Sequence, residues 1–271
     1  MISCLDYAEI RKEELKREVE NYTMKPTLSV IQIGNDKASS SYIKSKKKLC
    51  EEIGIDFIHN HIQDYEDLSE AYLTTKILQS NINSDGIIIQ LPIPDKYDIK
   101  NLQAYIVSDK DVDGFRRDSS FTQCTPKGIM DWLDYNNYDF EGKNVTVIGR
   151  SNIVGKPLVN LLIEKGATVT CCNSKTKDIR KYTQNSDLVV SAIGKAKFLD
   201  SSYFKNGQIV VDVGINRDEN GKLCGDVNYE EVTNNMENIY VTPVPNGVGK
   251  LTVLSLIENT IEAYKLKKQL N

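Results

Sequence analysis

The sequence predicts an α/β protein built as two three-layer α/β lobes with a cleft between them. Helical and strand periods alternate from one end of the 271 residues to the other, the signature of largely parallel sheets with crossover helices. A polar, turn-rich segment, DKDVDGFRRDSSFTQCTPKG, breaks that alternation near the middle, and a second unit starts at NVTVIG. That unit opens with a buried strand running through a glycine turn into a helix, which makes it Rossmann-like. The length allows two domains of ordinary size, and clefts between lobes are where ligands usually bind.

In the first lobe a charged amphipathic helix, MISCLDYAEIRKEELKREVE, precedes the strand PTLSVIQIG. The helix ASSSYIKSKKKLCEEIG follows and stops at a glycine, and then come the strand IDFIHNHI, the helix LSEAYLTTKILQSN and the strand DGIIIQLP. A short helix around Trp132 leads into the second lobe. There the order is strand NVTVIG, helix VGKPLVNLLIEKG, strand ATVTCC, a helix after SKTKD, and strands DLVVSAIG, QIVVDVG and IYVTPVP. The last helix reads LTVLSLIENTIEAYKLKK.

Composition excludes several classes of function. The net charge of −4 leaves no broad basic surface for nucleic acid. No apolar run approaches the ~20 residues of a membrane span, and the first helix lacks the apolar stretch of a signal peptide, so a cytoplasmic protein is expected. The six cysteines, Cys4, Cys50, Cys124, Cys171, Cys172 and Cys224, show no C-x-x-C spacing and read as buried thiols. His59 and His61 alternate on a strand without further ligands at useful spacing, so no metal is expected.

The stretch NVTVIGRSNIVGKP, Asn144 to Pro157, resembles a dinucleotide turn but carries Ser151 in place of the second glycine and Arg150 directly after the first. Backbone amides at the start of a helix still favour phosphate there. NAD enzymes usually place an acid at the end of the next strand to bind the ribose 2′-hydroxyl. Here that position reads Asn173, Ser174 and Lys175, which would not repel a 2′-phosphate. Arg150 is then a fork-shaped partner for that phosphate, and NADP is the expected cofactor. The alternative is a structural turn with a solvated arginine.

In the helix ASSSYIKSKKKLCEEIG, positions 42, 46, 49 and 53 share one helical stripe, and three of them are Tyr42, Leu49 and Ile53. The fourth is Lys46. A lysine in an apolar stripe, one turn from a tyrosine hydroxyl, is a candidate for a lowered pKa and proton chemistry; the alternative is a lysine that snorkels to water. Gln90 ends the apolar strand GIII at the carboxyl edge of the sheet, and KDVDGF places Asp111 and Asp113 on a following loop. Lysine, tyrosine, glutamine and aspartate at one sheet edge make a credible polar cluster.

Across nearly its whole length the chain resembles the bifunctional methylenetetrahydrofolate dehydrogenase/cyclohydrolase family. The segments that carry the likeness are SSSYIKSKKKLCEEIGI, DGIIIQLPIP, KDVDGF, CTPKG, GRSNIVGKP, SKT, VDVGIN, GDV and TPVPNGVGKLT. The resemblance implies a folate-binding catalytic domain over residues 1–118, a Rossmann-like NADP-binding domain over 119–250, and a terminal helix over 251–271 packing back on the first. It implies that Lys46 is the central catalytic group, with Tyr42, Gln90 and Asp113 lining the folate site. Gly149, Arg150, Ser151, Ile153, Ser174 and Ile215 would surround NADP. It also implies tetrahydrofolate derivatives as substrates, a homodimer, and a place in one-carbon metabolism and purine biosynthesis.

Five positions depart from the family's pattern. Gln123 stands where a proline is typical, Asn173 replaces a histidine, and the glycine and proline of the segment opening the last helix are Asn246 and Lys250, with Leu251 next. Asn246 adds a side chain where glycine allows close approach, and Lys250 adds a charge and a backbone donor. Two other readings follow: a folate-binding relative that has lost one or both activities, or another two-domain NADP dehydrogenase such as a shikimate type.

Overall fold

The computed structural model describes residues 1–65 and 68–269. Leu270 and Asn271, the end of the expected terminal helix, lie outside the described residues. The elements are α1 (Cys4–Glu20), β1 (Thr27–Ile33), α2 (Lys37–Ile53), β2 (Asp56–Ile62), α3 (Glu70–Asn83), β3 (Gly86–Gln90), α4 (Ile99–Gln103), α5 (Cys124–Tyr135), β4 (Asn144–Ile148), α6 (Gly155–Glu164), β5 (Thr168–Cys172), α7 (Arg180–Thr183), β6 (Leu188–Ser191), β7 (Ile209–Asp212), β8 (Asn216–Arg217), β9 (Leu223–Cys224), α8 (Tyr229–Asn235), β10 (Tyr240–Val241) and α9 (Val248–Gln269). The chain forms two compact units, one of Glu9–Cys124 with the segment from Val253 onward, the other of Met1–Ala8 with Thr125–Thr252.

The first unit holds a parallel sheet of order β2-β1-β3. β1 is central because its run TLSVIQI is buried almost throughout, whereas DFIHNHI at the edge is half-exposed. Ile31, Ile33, Ile87 and Ile89 pack with Leu73 and Ile77 of α3 on one face. Alternation sends Gln32 and Gln90, paired in register, to the opposite face, where α2 lies. α2 is delimited by Asp36, whose carboxylate accepts the Ser39 amide at 2.7 Å, and by Gly54 in the left-handed region.

The buried stripe of α2 differs from the expected one. Ser39, Ile43, Cys50 and Ile53 are buried, Leu49 is half-buried, and Tyr42 is 38 % exposed. Lys46 fits the spacing of both stripes. Small residues, serine and cysteine, mark the close packing against the sheet, and a reading weighted toward large apolar residues rotates the face by one position.

The second unit holds a five-stranded parallel sheet, β10-β7-β6-β4-β5. Counted along the chain from β4, this is the doubly wound order 2-1-3-4-5, whose switch point lies at the carboxyl ends of β4 and β6. Ile148, Val189, Val210 and Val241 form its core with Val227 and Val232. The helix around Trp132 is longer than expected, running over Cys124–Tyr135, while the helix after SKTKD is a single turn. The β8–β9 hairpin and α8 have no counterpart in the sequence reading. Five of the cysteines are buried as expected, but Cys171 is exposed, because β5 is an edge strand. No helix among the described residues is long and apolar enough to cross a membrane.

Candidate active site

In the first unit Lys46 Nζ donates to Gln90 Oε1 at 2.9 Å. Gln90 Nε2 donates to its neighbour Leu91 O at 2.8 Å, which leaves the amide oxygen for the amine. The same carbonyl accepts Ser39 Oγ at 3.0 Å, so the start of α2 is tied to the end of β3. Burial holds the Lys46 ammonium below the usual lysine range, opposed chiefly by the charge of Asp113. Burial raises the Asp113 carboxyl, opposed by Lys46 and a hydrogen bond from Cys124. Both shifts favour uncharged forms, and the amine shift is the one with a direct chemical use.

Asp113 and Asp111 have different surroundings. Asp111 is buried, accepts the Arg116 amide at 2.8 Å and organises its own loop. Next to Asp113, the Val112 carbonyl accepts Cys124 Sγ at 3.2 Å and Asn259 Nδ2 at 2.9 Å. Asn259 also donates to Thr122 O at 3.2 Å, so one amide from α9 braces the loop that carries Asp113. The sequence reading did not find Asn259; a polar residue at a buried helix position was its only signal. Tyr42 stands one turn from Lys46, but the amine's partner is Gln90, and burial keeps the Tyr42 phenol above the usual range. At four positions' spacing the long tyrosine side chain reaches outward instead of across.

In the second unit the turn after β4 surrounds a cavity of about 490 Å³, whose lining includes Gly149, Arg150, Asn173, Ser174, Ala192 and Ile193. Gly149 has φ +123°, and a Cβ there would meet the Ala192 carbonyl oxygen at 2.3 Å. Gly155 is equally constrained, its Cβ falling 2.2 Å from Gly149 O. Ser151 takes over the capping task, its Oγ accepting the amides of Val154 at 3.1 Å and Gly155 at 3.3 Å. The cavity is lined by Gly149, Arg150 and Ser174 but not by Ser151, Ile153 or Ile215, all exposed. Lys177, Arg180 and Lys195 also line it and were not singled out from sequence.

Family models place these two groups of residues in a known context. Residues 2–113 match the tetrahydrofolate dehydrogenase/cyclohydrolase catalytic domain and residues 123–268 the NAD(P)-binding domain of the same family. The chain belongs to this family. It is 42 % identical to the bifunctional protein FolD of Agathobacter rectalis, over 94 % of this chain and 95 % of the relative. The crystal structure of the bifunctional enzyme FolD from Campylobacter jejuni superposes with a TM-score of 0.91 at 40 % identity, covering 98 % of each chain. The Trypanosoma brucei enzyme, solved with NADP cofactor and an inhibitor, gives 0.89 at 30 % identity, covering 98 % of this chain and 97 % of that one. Shikimate dehydrogenase from Aquifex aeolicus, at 14 % identity and a TM-score of 0.53, shares the fold alone.

Gly149→Ala is a direct check of the turn. The strain of a side chain at that φ, together with the contact to Ala192 O, should lower stability by roughly 1–3 kcal/mol. Urea unfolding with an unchanged midpoint would mean the turn has another shape in solution.

Proposed function

We propose that the protein oxidises 5,10-methylenetetrahydrofolate to the 5,10-methenyl form with NADP and hydrolyses that product to 10-formyltetrahydrofolate. The observation that carries this reading is the Lys46–Gln90 pair beside Asp113 in a chain of this family. The dinucleotide cavity fits NADP: its glycine turn admits no side chain, Arg150, Ser174 and Lys177 line it, and the acid Asp178, also in the lining, is met by Arg180 at 3.5 Å. NADP, when bound, is the hydride acceptor. For that step the chain needs no base, only residues that hold the folate in place.

Ring opening of the methenyl cation needs a proton moved at neutral pH. A neutral Lys46 amine keeps one N–H on Gln90 Oε1 and presents its lone pair to the attacking water. An uncharged amine also avoids repelling the cationic substrate. Tyr42 supplies an O–H donor at the rim, and Asp113 accepts from pterin N–H groups. Gly149, Arg150, Ser151, Ile153, Ser174 and Ile215 are assigned to the cofactor. The homodimer and the link to purine biosynthesis rest on family resemblance, the absence of nucleic-acid partners on the net charge of −4, and the cytoplasmic location on the apolar patterning of the chain.

The test is to mix pure protein with methylenetetrahydrofolate and either NADP or NAD while following methenyl absorbance. It should rise and then decay, faster with NADP. Rise without decay would remove the hydrolase, and bound folate without any rise would favour a relative that has lost turnover.

The departures at the start of α9 have a structural outcome of their own. Asn246 sits at φ +73°, a conformation asparagine tolerates and glycine adopts freely. The Lys250 amide donates to Gly247 O at 3.0 Å, a bond that proline lacks. Lys250 lies in the first turn of α9, where such a loss is mild, so the double change Asn246→Gly with Lys250→Pro should leave a folded enzyme. Its Michaelis constant for folate or cofactor should shift. No change in either constant would place this segment outside the contact shell.

A further inference from the structure

Two fully buried carboxylates in the second unit have no part in the chemistry described above. Asp226 Oδ2 accepts Ser191 Oγ at 2.9 Å and the Ile193 amide at 2.8 Å, while Oδ1 accepts the Lys195 amide at 2.9 Å and Asn216 Nδ2 at 3.0 Å. Asp212 Oδ1 accepts the amides of Gly214 at 2.9 Å and Asp226 at 3.0 Å, and Oδ2 that of Val227 at 2.8 Å. Each aspartate lies over the other's glycine. A Cβ on Gly214 would fall 2.3 Å from Asp226 Oδ1, and one on Gly225 would fall 1.9 Å from Asp212 Oδ2. The motifs VDVGIN and GDV are thus two halves of one lock, and side chains at either glycine would open it.

The lock has an address. Ala192, Ile193 and Lys195, on the turn that leaves β6, line the dinucleotide cavity, and Ala192 O is the atom that denies Gly149 a Cβ. Asp226 therefore sets the position of the turn against which the glycine loop closes. The arrangement is unfavourable by itself, since burial pushes the Asp212 carboxyl up to about 6 and the charge of Asp226 acts in the same direction. Carboxyls perturbed in this way are found at functional sites as well as in structural networks, and here the geometry places the pair against the cavity.

We propose that Asp226, locked by Asp212, is a positioning residue for the dinucleotide: it holds the Ala192–Lys195 turn against the glycine loop, so that the two together keep the shape of the cavity the cofactor enters. This rests on the reading of the cavity as the NADP site. Asp226→Asn keeps the volume but turns an NH₂ group toward two of the four donors, so the turn must shift.

The test measures NADP affinity by titration, and separately hydrolysis of methenyltetrahydrofolate without any dinucleotide. In Asp226→Asn the dissociation constant for NADP should rise by about tenfold or more while the hydrolysis rate stays within about twofold of wild type. An equal loss of both would make Asp226 a general structural residue, and unchanged NADP affinity would remove the proposal outright. Should that variant fail to fold, Ser191→Ala removes a single donor from Asp226 Oδ2 and should still weaken NADP about threefold, with faster hydrogen exchange at the Ile193 amide. A folded Ser191→Ala protein with neither change overturns the inference. Arg150→Ala in the same titration separates the two ideas: weaker NADP there with normal affinity in Asp226→Asn keeps the cavity reading and discards the lock. Wild-type protein that binds no NADP overturns both.

Discussion

Lys46→Met should lower hydrolysis of methenyltetrahydrofolate by about 100-fold or more while the protein stays folded. Methionine keeps a long unbranched side chain and a good helix former, so α2 loses an amine and little else. Hydride transfer requires no proton from this residue, so methenyl product should accumulate where wild type lets it decay. The pH profile gives an independent check. Burial lowers the Lys46 pKa, so the neutral amine is populated at a lower pH than an exposed lysine would allow, and it is lost as pH falls through that value. Wild-type hydrolysis should accordingly rise with pH through that lowered pKa, and the variant should lack this limb. A folded Lys46→Met protein that opens the ring at the wild-type rate would return Lys46 to the role of a snorkelling side chain.

Gln90→Ala should have an effect of the same kind but smaller. Without Oε1 the amine loses its hydrogen-bond acceptor and its fixed direction, at a cost typical of one such bond, so hydrolysis should fall by about tenfold. Full activity in Gln90→Ala would mean that substrate alone orients the amine.

The architecture was legible because it depends on periodicity and punctuation. β3 is a continuous apolar run closed by Gln90, and Gly54 stops α2 at the place where capping chemistry requires. That Lys46 and Gln90 meet at one sheet edge was legible as well, since a strand's last residue and a helix's inward face converge there, but the hydrogen bond between them was not. Other features were not. The β8–β9 hairpin is only two residues per strand, too short to show alternation. Asn259 acts across 147 positions on Val112, a distance that no local pattern encodes. The role of Gly214 and Gly225 is legible only in space, because each makes room for a carboxylate twelve or more residues away. Of the cations, Lys177 and Arg180 come from the β5–β6 connection and Lys195 from the one after β6, and only the folded sheet gathers them around one cavity.

Arg150→Ala should cut the preference for NADP over NAD by about tenfold or more, since charge-assisted contacts to a phosphate are worth roughly 1.5–3 kcal/mol. The guanidinium is exposed at the cavity lining and makes no hydrogen bond within the chain among the described residues, so it is available to a ligand. Asn173 and Ser174 occupy the strand end where an acid would select a ribose hydroxyl. Some preference should survive, because Lys177, Arg180 and Lys195 also line the cavity, although Arg180 is partly engaged by Asp178 at 3.5 Å. These residual contacts are long-range and solvated, whereas a bidentate Arg150 contact is short and geometrically fixed, so the two contributions differ in their response to salt. Raising ionic strength should erase most of the preference left in the variant and only part of that in wild type. A wild-type enzyme that prefers NAD, or a variant that loses both cofactors by the same factor, would show that Arg150 does not read the 2′-phosphate.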